Sequence, residues 1–509
     1  MYKIEVYYSF IKIIGYCPGD CQKLENYFRI YDNVTHEGHF EHIIFDTKNH
    51  FLYLPRGMDI YFLEMSLNCK AEYITKPDPF VYNSDIMLRY KPKDEKQATT
   101  LKFILGRDEF RKYKDCSQYL ISLTMGGGKT YISTAFFAIT SLKPLVVCYG
   151  IEEQWRARLK EYTNLKDREI FTIKGMDSIR ILMRHPAEEL AKKYKVYIAT
   201  HGTLLSLFDT GMENLHRLFI HLGIGVKVID EAHRNFMNTC KIDYSTNTMK
   251  TIYLTATPAL GDAKKNKIFG LYFKNVPKID LFDESDKHTK YIALRYSSNP
   301  TLMEINNCMT NRGFNIISYA DYVVRKPNFY YMLDIVFDFM AKIPGKKLLY
   351  IASNNAIMTI YNYIMTNFKY RYYVDSIGIY TSINPNKQLA LEKEIILTTS
   401  KSAGEALDIH GLMCAVNLAD PTKSEPLVEQ RFGRVRLNGY YIDLVDEGFI
   451  NTIRFYHSNL KIYNKFATEC KEASYDKQKL IDGSNKFVEN HPLRIEDIFK
   501  PSSKSPRDK

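Results

Sequence analysis

Met125-Gly126-Gly127-Gly128-Lys129-Thr130 directly follows an apolar run, residues 119–123. This order predicts a strand, a glycine-rich turn and the start of a helix. Glycines let the backbone wrap closely around phosphate oxygens, and a helix N-terminus adds partial positive charge. In such a turn Lys129 reaches the β and γ phosphates and Thr130 offers its hydroxyl to Mg²⁺. The segment therefore predicts a nucleoside triphosphate site, although Leu123 stands where the usual pattern has glycine.

Two adjacent acids, Asp230 and Glu231, follow a second apolar run, residues 226–229. Open α/β sheets bind their ligands at the carboxyl ends of strands. Asp230 is expected to hold Mg²⁺, directly or through water, and Glu231 to orient and deprotonate an attacking water. An exposed acidic turn is the alternative for this pair alone, and the glycine-rich turn in the same chain argues against it. Thr255 and Thr257, after a further apolar run, could link the acids to a neighbouring domain.

A basic segment lies far along the chain, Gln430-Arg431-Phe432-Gly433-Arg434-Val435-Arg436. A guanidinium from this segment could reach a γ-phosphate bound elsewhere and stabilise the charge on the transferring group. A basic helix face is the alternative interpretation.

Composition limits the class of protein. The chain has 509 residues, 45% of them apolar, which predicts two or three globular domains. No run is long enough to span a membrane and no signal peptide is evident, so we expect a soluble intracellular protein. The scattered cysteines indicate reduced thiols. The net charge of +12 favours nucleic acid as a partner, although a solubilising lysine-rich surface is the alternative. Frequent tyrosine (39 residues), lysine, isoleucine and asparagine indicate AT-rich coding.

The order of apolar runs predicts the fold class. Residues 1–84 predict a small α+β accessory domain that could bind nucleic acid, with a hairpin around residues 47–49 and another strand at residues 59–67. Short buried strands and helices then alternate twice, which predicts two α/β units with parallel sheets. The polar residues 278–300 are the candidate linker. A zinc site at Cys17, Cys21 and His36 to His42 is disfavoured, because the spacing fits no standard finger.

The ordered motifs resemble those of superfamily 2 helicases and translocases, especially the compact ones encoded by phages and large DNA viruses. The matching segments are residues 123–130, 145–155, 198–204, 230–233, 255–257, 348–352, 398–408 and 430–436. The resemblance implies two tandem RecA-like parallel-sheet lobes, at residues 85–285 and 290–470, preceded by the α+β accessory domain. Residues 471–509 are then a partly disordered C-terminal extension.

The resemblance also implies roles for individual residues. Gln97 matches the glutamine that reads adenine, which implies ATP as the nucleotide. Gly404 and Asp408 match positions where the second lobe approaches the nucleotide. Arg434 matches the arginine finger, next to Gln430; Leu437 stands where the family has a second arginine, and Arg436 is its possible replacement. Positions that line the nucleic-acid path are matched by Gln154, Thr200, His201, Thr381, Thr398 and Lys401, which contact phosphate and sugar rather than bases.

The sequence thus predicts an ATP-dependent helicase or translocase that uses Mg²⁺ and acts on nucleic acid, with DNA favoured over RNA. A monomer is the default, in the host cytoplasm if the protein is viral. Alternatives are a motor that translocates, anneals strands or releases transcripts without unwinding, and a nucleotide-gated binding module with little turnover. The motor subunit of a restriction system is a further alternative, but no nuclease motif stands out.

Overall fold

The computed structural model describes residues 2–31, 38–40, 42–74, 80–83, 85–123, 127–234, 236–255, 263–281, 287–311, 313–403, 409–435 and 438–475. The chain divides into two compact units, Met1–Phe282 and Asp283–Lys509. Within the described ranges no helix is both long and apolar enough to cross a membrane.

The N-terminal part of the first unit is an α+β domain built on a five-stranded sheet of order β5-β6-β2-β1-β7. Its elements are β1 (Lys3–Val6), β2 (Phe10–Ile14), α1 (Gln22–Phe28), β3 (Ile30–Tyr31), β4 (Gly38–His39), β5 (Ile44–Asp46), β6 (Phe51–Pro55), α2 (Ile60–Leu67) and β7 (Ala71–Tyr73). Strands β5 and β6 form the predicted hairpin, with Ile44 opposite Tyr53.

The strand predicted at residues 59–67 is wrong, because this segment forms the helix α2. The Asp59 side chain accepts a hydrogen bond of 3.3 Å from the Phe62 backbone N–H and caps the helix. Leu63 and Leu67 are buried while Met65 between them is 61% exposed, which fits a helix, since a strand would place all three side chains on one face.

The rest of the first unit is an α/β lobe around a seven-stranded sheet of order β10-β11-β9-β12-β13-β8-β14, in which every neighbouring pair is parallel. Its strands are β8 (Gln118–Ser122), β9 (Pro144–Cys148), β10 (Ile170–Ile173), β11 (Val196–Thr200), β12 (Val226–Ile229), β13 (Lys250–Thr255) and β14 (Lys278–Asp280). Its helices are α3 (Glu95–Leu105), α4 (Lys129–Thr140), α5 (Glu152–Tyr162), α6 (Met176–Arg184), α7 (Ala187–Lys193), α8 (His201–Phe208), α9 (Met212–Leu222), α10 (Phe236–Tyr244) and α11 (Ala263–Tyr272), with 3₁₀ helices at Asp108–Tyr113 and Asp167–Glu169.

The second unit is a lobe of the same kind, with a seven-stranded parallel sheet of order β19-β20-β18-β21-β22-β15-β23. Its strands are β15 (Thr289–Tyr296), β16 (Met309–Thr310), β17 (Gly313–Phe314), β18 (Lys346–Ile351), β19 (Ile377–Tyr380), β20 (Ile395–Thr398), β21 (Leu412–Ala419), β22 (Tyr440–Asp446) and β23 (Ala467–Ser474). Its helices are α12 (Leu302–Asn307), α13 (Ile316–Val323), α14 (Pro327–Met340), α15 (Asn354–Thr366), α16 (Ser400–Ala403), α17 (Glu425–Phe432) and α18 (Ile450–Phe466), with 3₁₀ helices at Phe368–Tyr373 and Lys387–Glu392.

These sheets confirm the predicted fold class, which is two tandem RecA-like lobes behind a small α+β domain. The boundary between the two units, at residues 282 and 283, falls inside the linker predicted at residues 278–300. The predicted irregular structure of this segment is wrong, because it contains β14 and the inner strand β15. Ile292 and Leu294 of β15 are fully buried, while the polar Arg295 donates 2.6 Å to Glu447 at the strand end. Residues 471–474 of the predicted extension belong to β23, and residues 476–509 lie outside the described ranges.

A fully buried ion pair joins the sheet of the first lobe to α10. The Lys227 ammonium lies 2.6 Å from the Asp243 carboxylate, and neither side chain is exposed to solvent. Tyr253 donates a 2.7 Å hydrogen bond to the same carboxylate, and Tyr272 donates another. Because a buried charge is costly unless it is paired and hydrogen-bonded, this cluster fixes α10 against β12 and β13.

We expect Lys227→Met to destabilise the first lobe, because it leaves the Asp243 carboxylate buried without its cation. Removing one partner of a buried pair costs about 3–5 kcal/mol, and each kcal/mol lowers the unfolding midpoint of a domain of this size by about 2–4 °C. Scanning calorimetry of the full chain measures the shift. Arg180→Met is the matched control, because its pair with Asp177 is exposed and should contribute little. Equal midpoints for both variants would contradict this role of the pair.

Candidate active site

The glycine-rich turn leads into α4, whose first residue is Lys129. Gly128 has a φ of +86°, a left-handed conformation that favours glycine. A Cβ at this position would lie 2.2 Å from the side-chain nitrogen of Gln97, so a larger residue would collide with it. Gln97 is itself buried, in α3, and it packs directly against the turn. Gly127 precedes Gly128 in the turn, and Thr130 is the second residue of α4. Gly126 lies outside the described residues.

An ion pair joins the turn to the acids that follow β12. The Lys129 ammonium donates 3.0 Å to Oε1 of Glu231. Both side chains are largely enclosed, with 12% and 21% of their surfaces exposed, so the pair is poorly screened by solvent. The structure thus brings together the predicted phosphate-binding lysine and the predicted catalytic acid.

Asp230 is buried behind this pair and is held by two N–H donors. The indole N–H of Trp155 donates 2.7 Å to Oδ2, and the backbone N–H of Glu231 donates 3.0 Å to Oδ1. Burial, followed by the nearby Glu231 carboxylate, raises the pKa of Asp230 to about 6. The two N–H donors favour the ionised carboxylate and oppose this rise.

Glu231 sits in a strained turn. Its φ of +49° is left-handed, which is rare for a residue with a Cβ and is typical of functional sites. Backbone bonds hold the turn: Ala232 N–H donates 2.8 Å to Leu254 O, and Arg234 N–H donates 2.8 Å to Glu231 O. Burial favours the neutral acid, but the Lys129 ammonium outweighs it and keeps the pKa of Glu231 below its usual range.

His233 connects the acids to the end of β13. Its Nδ1 lies 2.8 Å from the Thr255 hydroxyl and 3.3 Å from Oε2 of Glu231. Burial lowers the pKa of His233 to about 4, so the imidazole is neutral at pH 7. The predicted link from the acids to residues 255–257 thus begins within the first lobe at Thr255, and Thr257 lies outside the described residues.

Asp230 and Thr130 provide hard oxygen donors of the kind that Mg²⁺ prefers. The described part of the chain contains no group of three or more His, Cys, Asp or Glu side chains placed for a metal. Mg²⁺ at phosphate sites usually has one or two protein ligands and takes the rest from phosphates and water. The donor set therefore fits an ion that arrives with a nucleotide.

The predicted nucleic-acid residues of the first lobe differ in accessibility. Gln154 is exposed on α5, and Thr200 caps α8 by accepting 3.2 Å from the Thr203 N–H. His201 is fully buried, stacked on Tyr149 with ring centroids 4.0 Å apart, and burial lowers the pKa of His201 to about 3. The His201 ring therefore lies beneath the surface. The guanidinium of Arg234 lies over the Tyr149 ring, 5.1 Å from its centroid.

In the second lobe, Gln430 and Arg434 lie in and just after α17, and both are buried. Arg434 donates a 3.4 Å hydrogen bond from Nη2 to the carbonyl of Ala403, at the end of α16. Its neighbour Arg431 instead pairs with Asp420 at 2.8 Å, which is a structural role. Four predicted positions, Gly404, Asp408, Arg436 and Leu437, lie outside the described residues.

The remaining predicted path residues lie near the carboxyl ends of β19 and β20. Thr381 and Thr398 are fully buried, and the Thr398 hydroxyl donates 2.7 Å to Tyr380 O. Lys401 is exposed on α16. Of these three side chains, only Lys401 is open to a ligand in the second lobe as it stands.

The hydrogen bond from Trp155 to Asp230 was not predicted from the sequence. The ring is buried, 2% exposed, but its N–H needs a partner there. A lone tryptophan next to the exposed Gln154 was the available signal. The stack of Arg234, Tyr149 and His201 was also missed, because its members come from three separate strand ends.

Several solved structures are similar to the chain. T4 UvsW has 13% identity over 93% of this chain and 99% of that chain, with a TM-score of 0.34. The Pyrococcus furiosus Hef helicase domain has 14% identity over 71% and 97%, with a TM-score of 0.44. S. cerevisiae Dbp5 bound to RNA and ADP BeF3 has 14% identity over 79% and 94%, with a TM-score of 0.47. No curated protein sequence matches the chain.

Residues 89–260 match the family described as type III restriction enzyme, res subunit. This range contains Gln97, Lys129, Asp230 and Glu231, which are the residues that the first lobe brings to one edge of its sheet. The match confirms that the chain resembles the superfamily 2 helicases and translocases, as the ordered motifs predict.

We expect Trp155→Phe to destabilise the first lobe, because a buried carboxylate oxygen of Asp230 loses its donor. An unsatisfied buried group costs about 1–3 kcal/mol, which calorimetry or far-UV circular dichroism of the full chain detects as a lower unfolding midpoint. Tyr197→Phe is the control, since its buried hydroxyl has no partner among the described residues. The prediction fails if the two variants unfold at the same temperature.

Proposed function

We propose that this protein is an ATP-dependent helicase or translocase that acts on nucleic acid, with DNA favoured over RNA. The observation that carries the proposal is the 3.0 Å pair between Lys129 and Glu231, next to the buried Asp230. A phosphate-binding lysine, a metal-binding acid and a catalytic base at one sheet edge are the parts that nucleoside triphosphate hydrolysis requires.

ATP is bound by the turn and its neighbours in this proposal. Gln97 reads adenine, the backbone of Gly126, Gly127 and Gly128 cradles the phosphates, and Lys129 pairs with their charge. Thr130 and Asp230 hold Mg²⁺, which neutralises charge on the phosphate oxygens when it is bound. The bare backbone at Gly128, beside Gln97, supports this arrangement.

Lys129 has one ammonium and two partners that compete for it. Without nucleotide it pairs with Glu231 and holds the pKa of that acid low. When phosphate oxygens attract Lys129, the Glu231 carboxylate loses this pairing and burial raises its pKa. A more basic Glu231 is a better acceptor for the proton of the attacking water. The exchange thus couples nucleotide binding to activation of the base.

In this proposal Arg434 of the second lobe acts on the transferring phosphate together with Gln430, and Gly404 and Asp408 contact the nucleotide. Alternating grip on a strand by the two lobes would then produce translocation. In this proposal, contacts to phosphate and sugar come from Gln154, Thr200 and Lys401, and the buried Thr381, Thr398 and His201 support these surfaces from below.

We expect Lys129→Ala to abolish nucleic-acid-stimulated ATP hydrolysis, because the phosphates lose their cation. Phosphate release is measured with single-stranded DNA, duplex DNA, forked DNA and RNA, which also identifies the substrate. Lys192→Ala, an exposed lysine on α7, is the control and should retain wild-type turnover. Equal stimulated turnover in the wild type and the Lys129 variant would refute the proposal.

Two further measurements separate the alternatives within this function. Strand displacement on tailed, forked and blunt duplexes distinguishes unwinding from translocation, annealing or transcript release. Fewer than one phosphate per site with DNA present would instead indicate a nucleotide-gated binding module.

We expect Arg434→Ala to lower stimulated turnover by about 10³-fold or more while ATP still binds, because an arginine finger acts mainly on the transition state. Fluorescent-nucleotide titration and phosphate release measure the two effects separately. Arg454→Ala, an exposed arginine on α18, is the control. A loss of binding as large as the loss of turnover would exclude a finger role.

A further inference from the structure

A cleft lies between the accessory domain and the first lobe. It is at the amino ends of the strands β8 and β13, whereas the candidate active site is at the carboxyl ends of the same sheet. The cleft encloses about 450 Å³, which is within the size range of ligand pockets. Lys114 and Ser117 line it just before β8, and Lys250 lines it at the first residue of β13. Lys129 follows the other end of β8, and five strand residues separate the two edges by about 16 Å. The cleft is therefore distinct from the active site.

Three hydrogen bonds, one of them fully buried, hold the walls of this cleft against each other. Ser117 Oγ donates 2.6 Å to Tyr8 O, and Gln118 donates 3.1 Å to Ser9 O. The Tyr8 N–H in turn donates 3.0 Å to the Asn247 side chain. Both walls belong to the same compact unit, so the cleft is preformed.

The cleft carries excess positive charge. Arg56 is half-buried, and its Nε has no hydrogen-bond partner among the described residues. The Lys250 ammonium donates to the backbone carbonyls of Lys114, at 3.0 Å, and Cys116, at 2.6 Å, so neutral groups satisfy it and its charge remains. Lys114 adds an exposed cation, and Asp115 is the one acid among the described lining residues. No carboxylate of the described residues pairs with Arg56, so the positive charge of its guanidinium is uncompensated and an anionic ligand in the cleft would pair with it.

Aromatic rings complete the site. Tyr73, 56% exposed, and the partly buried Tyr8 both line the cleft. A planar base can stack on such rings, a contact that tolerates any base. Arg56 presents the planar fork that suits phosphate.

We propose that this cleft binds a nucleoside phosphate, free or as one residue of a strand, with its phosphate on Arg56 and Lys114 and its base against Tyr73 or Tyr8. The proposal deepens the proposed function by assigning the accessory domain a nucleotide contact outside the motor motifs. It does not require ATP turnover.

Equilibrium dialysis of the full-length protein against labelled thymidine 5′-monophosphate and against (dT)₈ tests the proposal without ATP. Thymidine monophosphate lacks the adenine that Gln97 is proposed to read and the β and γ phosphates that Lys129 is proposed to bind. Its binding therefore tests the cleft independently of whether the protein hydrolyses ATP. We expect Arg56→Met to weaken binding of at least one probe by about ten-fold, as the loss of a charge-assisted contact implies. Arg56-dependent binding of the monophosphate would identify a free nucleotide as the ligand of the cleft. Arg56-dependent binding of (dT)₈ alone would identify a nucleic-acid strand as the ligand.

Arg111→Met is the matched control, because it removes the same charge from an exposed position on the nearby 3₁₀ helix. Lys114→Met, also at an exposed position, gives a second test should Arg56→Met fail to fold. Tyr73→Ser should weaken monophosphate binding but leave binding of inorganic phosphate unchanged. Equal weakening by the Arg56 and Arg111 substitutions, or no weakening by the Arg56 and Lys114 substitutions, would overturn the proposal.

Discussion

The ion pair between Lys129 and Glu231 joins residues 102 positions apart, and it exists only because the sheet is parallel. In the order β12-β13-β8, all three strands end at the same edge. The acids follow β12, the lysine follows β8, and Thr255 at the end of β13 lies between them and holds His233. A reversal of any one strand would carry its functional group to the opposite edge. Strand direction is therefore the constraint on which the site depends.

Burial gives the site its electrostatic character. Asp230 and Glu231 are adjacent carboxylates that are largely shielded from solvent. Burial and the repulsion between like charges would ordinarily cause one of them to be protonated. Separate partners favour the charged form of each carboxylate: Trp155 and a backbone N–H for Asp230, and Lys129 for Glu231. The helix α5 carries an exposed Gln154 and the buried Trp155 on consecutive residues, so one short helix connects the lobe surface to Asp230.

Much of this arrangement could be predicted from the sequence, because motifs at strand ends and apolar runs are local patterns. The parallel lobes and the approach of Lys129 to Glu231 follow from them. The strand β15 could not be predicted, because Lys290 and Arg295 make it look polar although a central strand buries its other residues. The helix α2 was missed because its residues are apolar enough to suggest a strand, and the cap at Asp59 decides between the two. The buried ring of His201 depends on Tyr149, which lies at the end of another strand.

The tyrosines show how composition acquires a structural meaning. Their number indicates coding bias, yet both lobes use them to solve the same physical problem. In the first lobe Tyr253 and Tyr272 donate to the buried Asp243. In the second, Tyr291 and Tyr463 donate 2.9 and 2.8 Å to Asp443, whose pKa is raised by burial. Phenylalanine would fill the same volume but remove two hydrogen-bond donors from each carboxylate. Tyrosine hydroxyls therefore help to stabilise a buried acid in each lobe, Asp243 in α10 and Asp443 in β22, whatever first made tyrosine frequent.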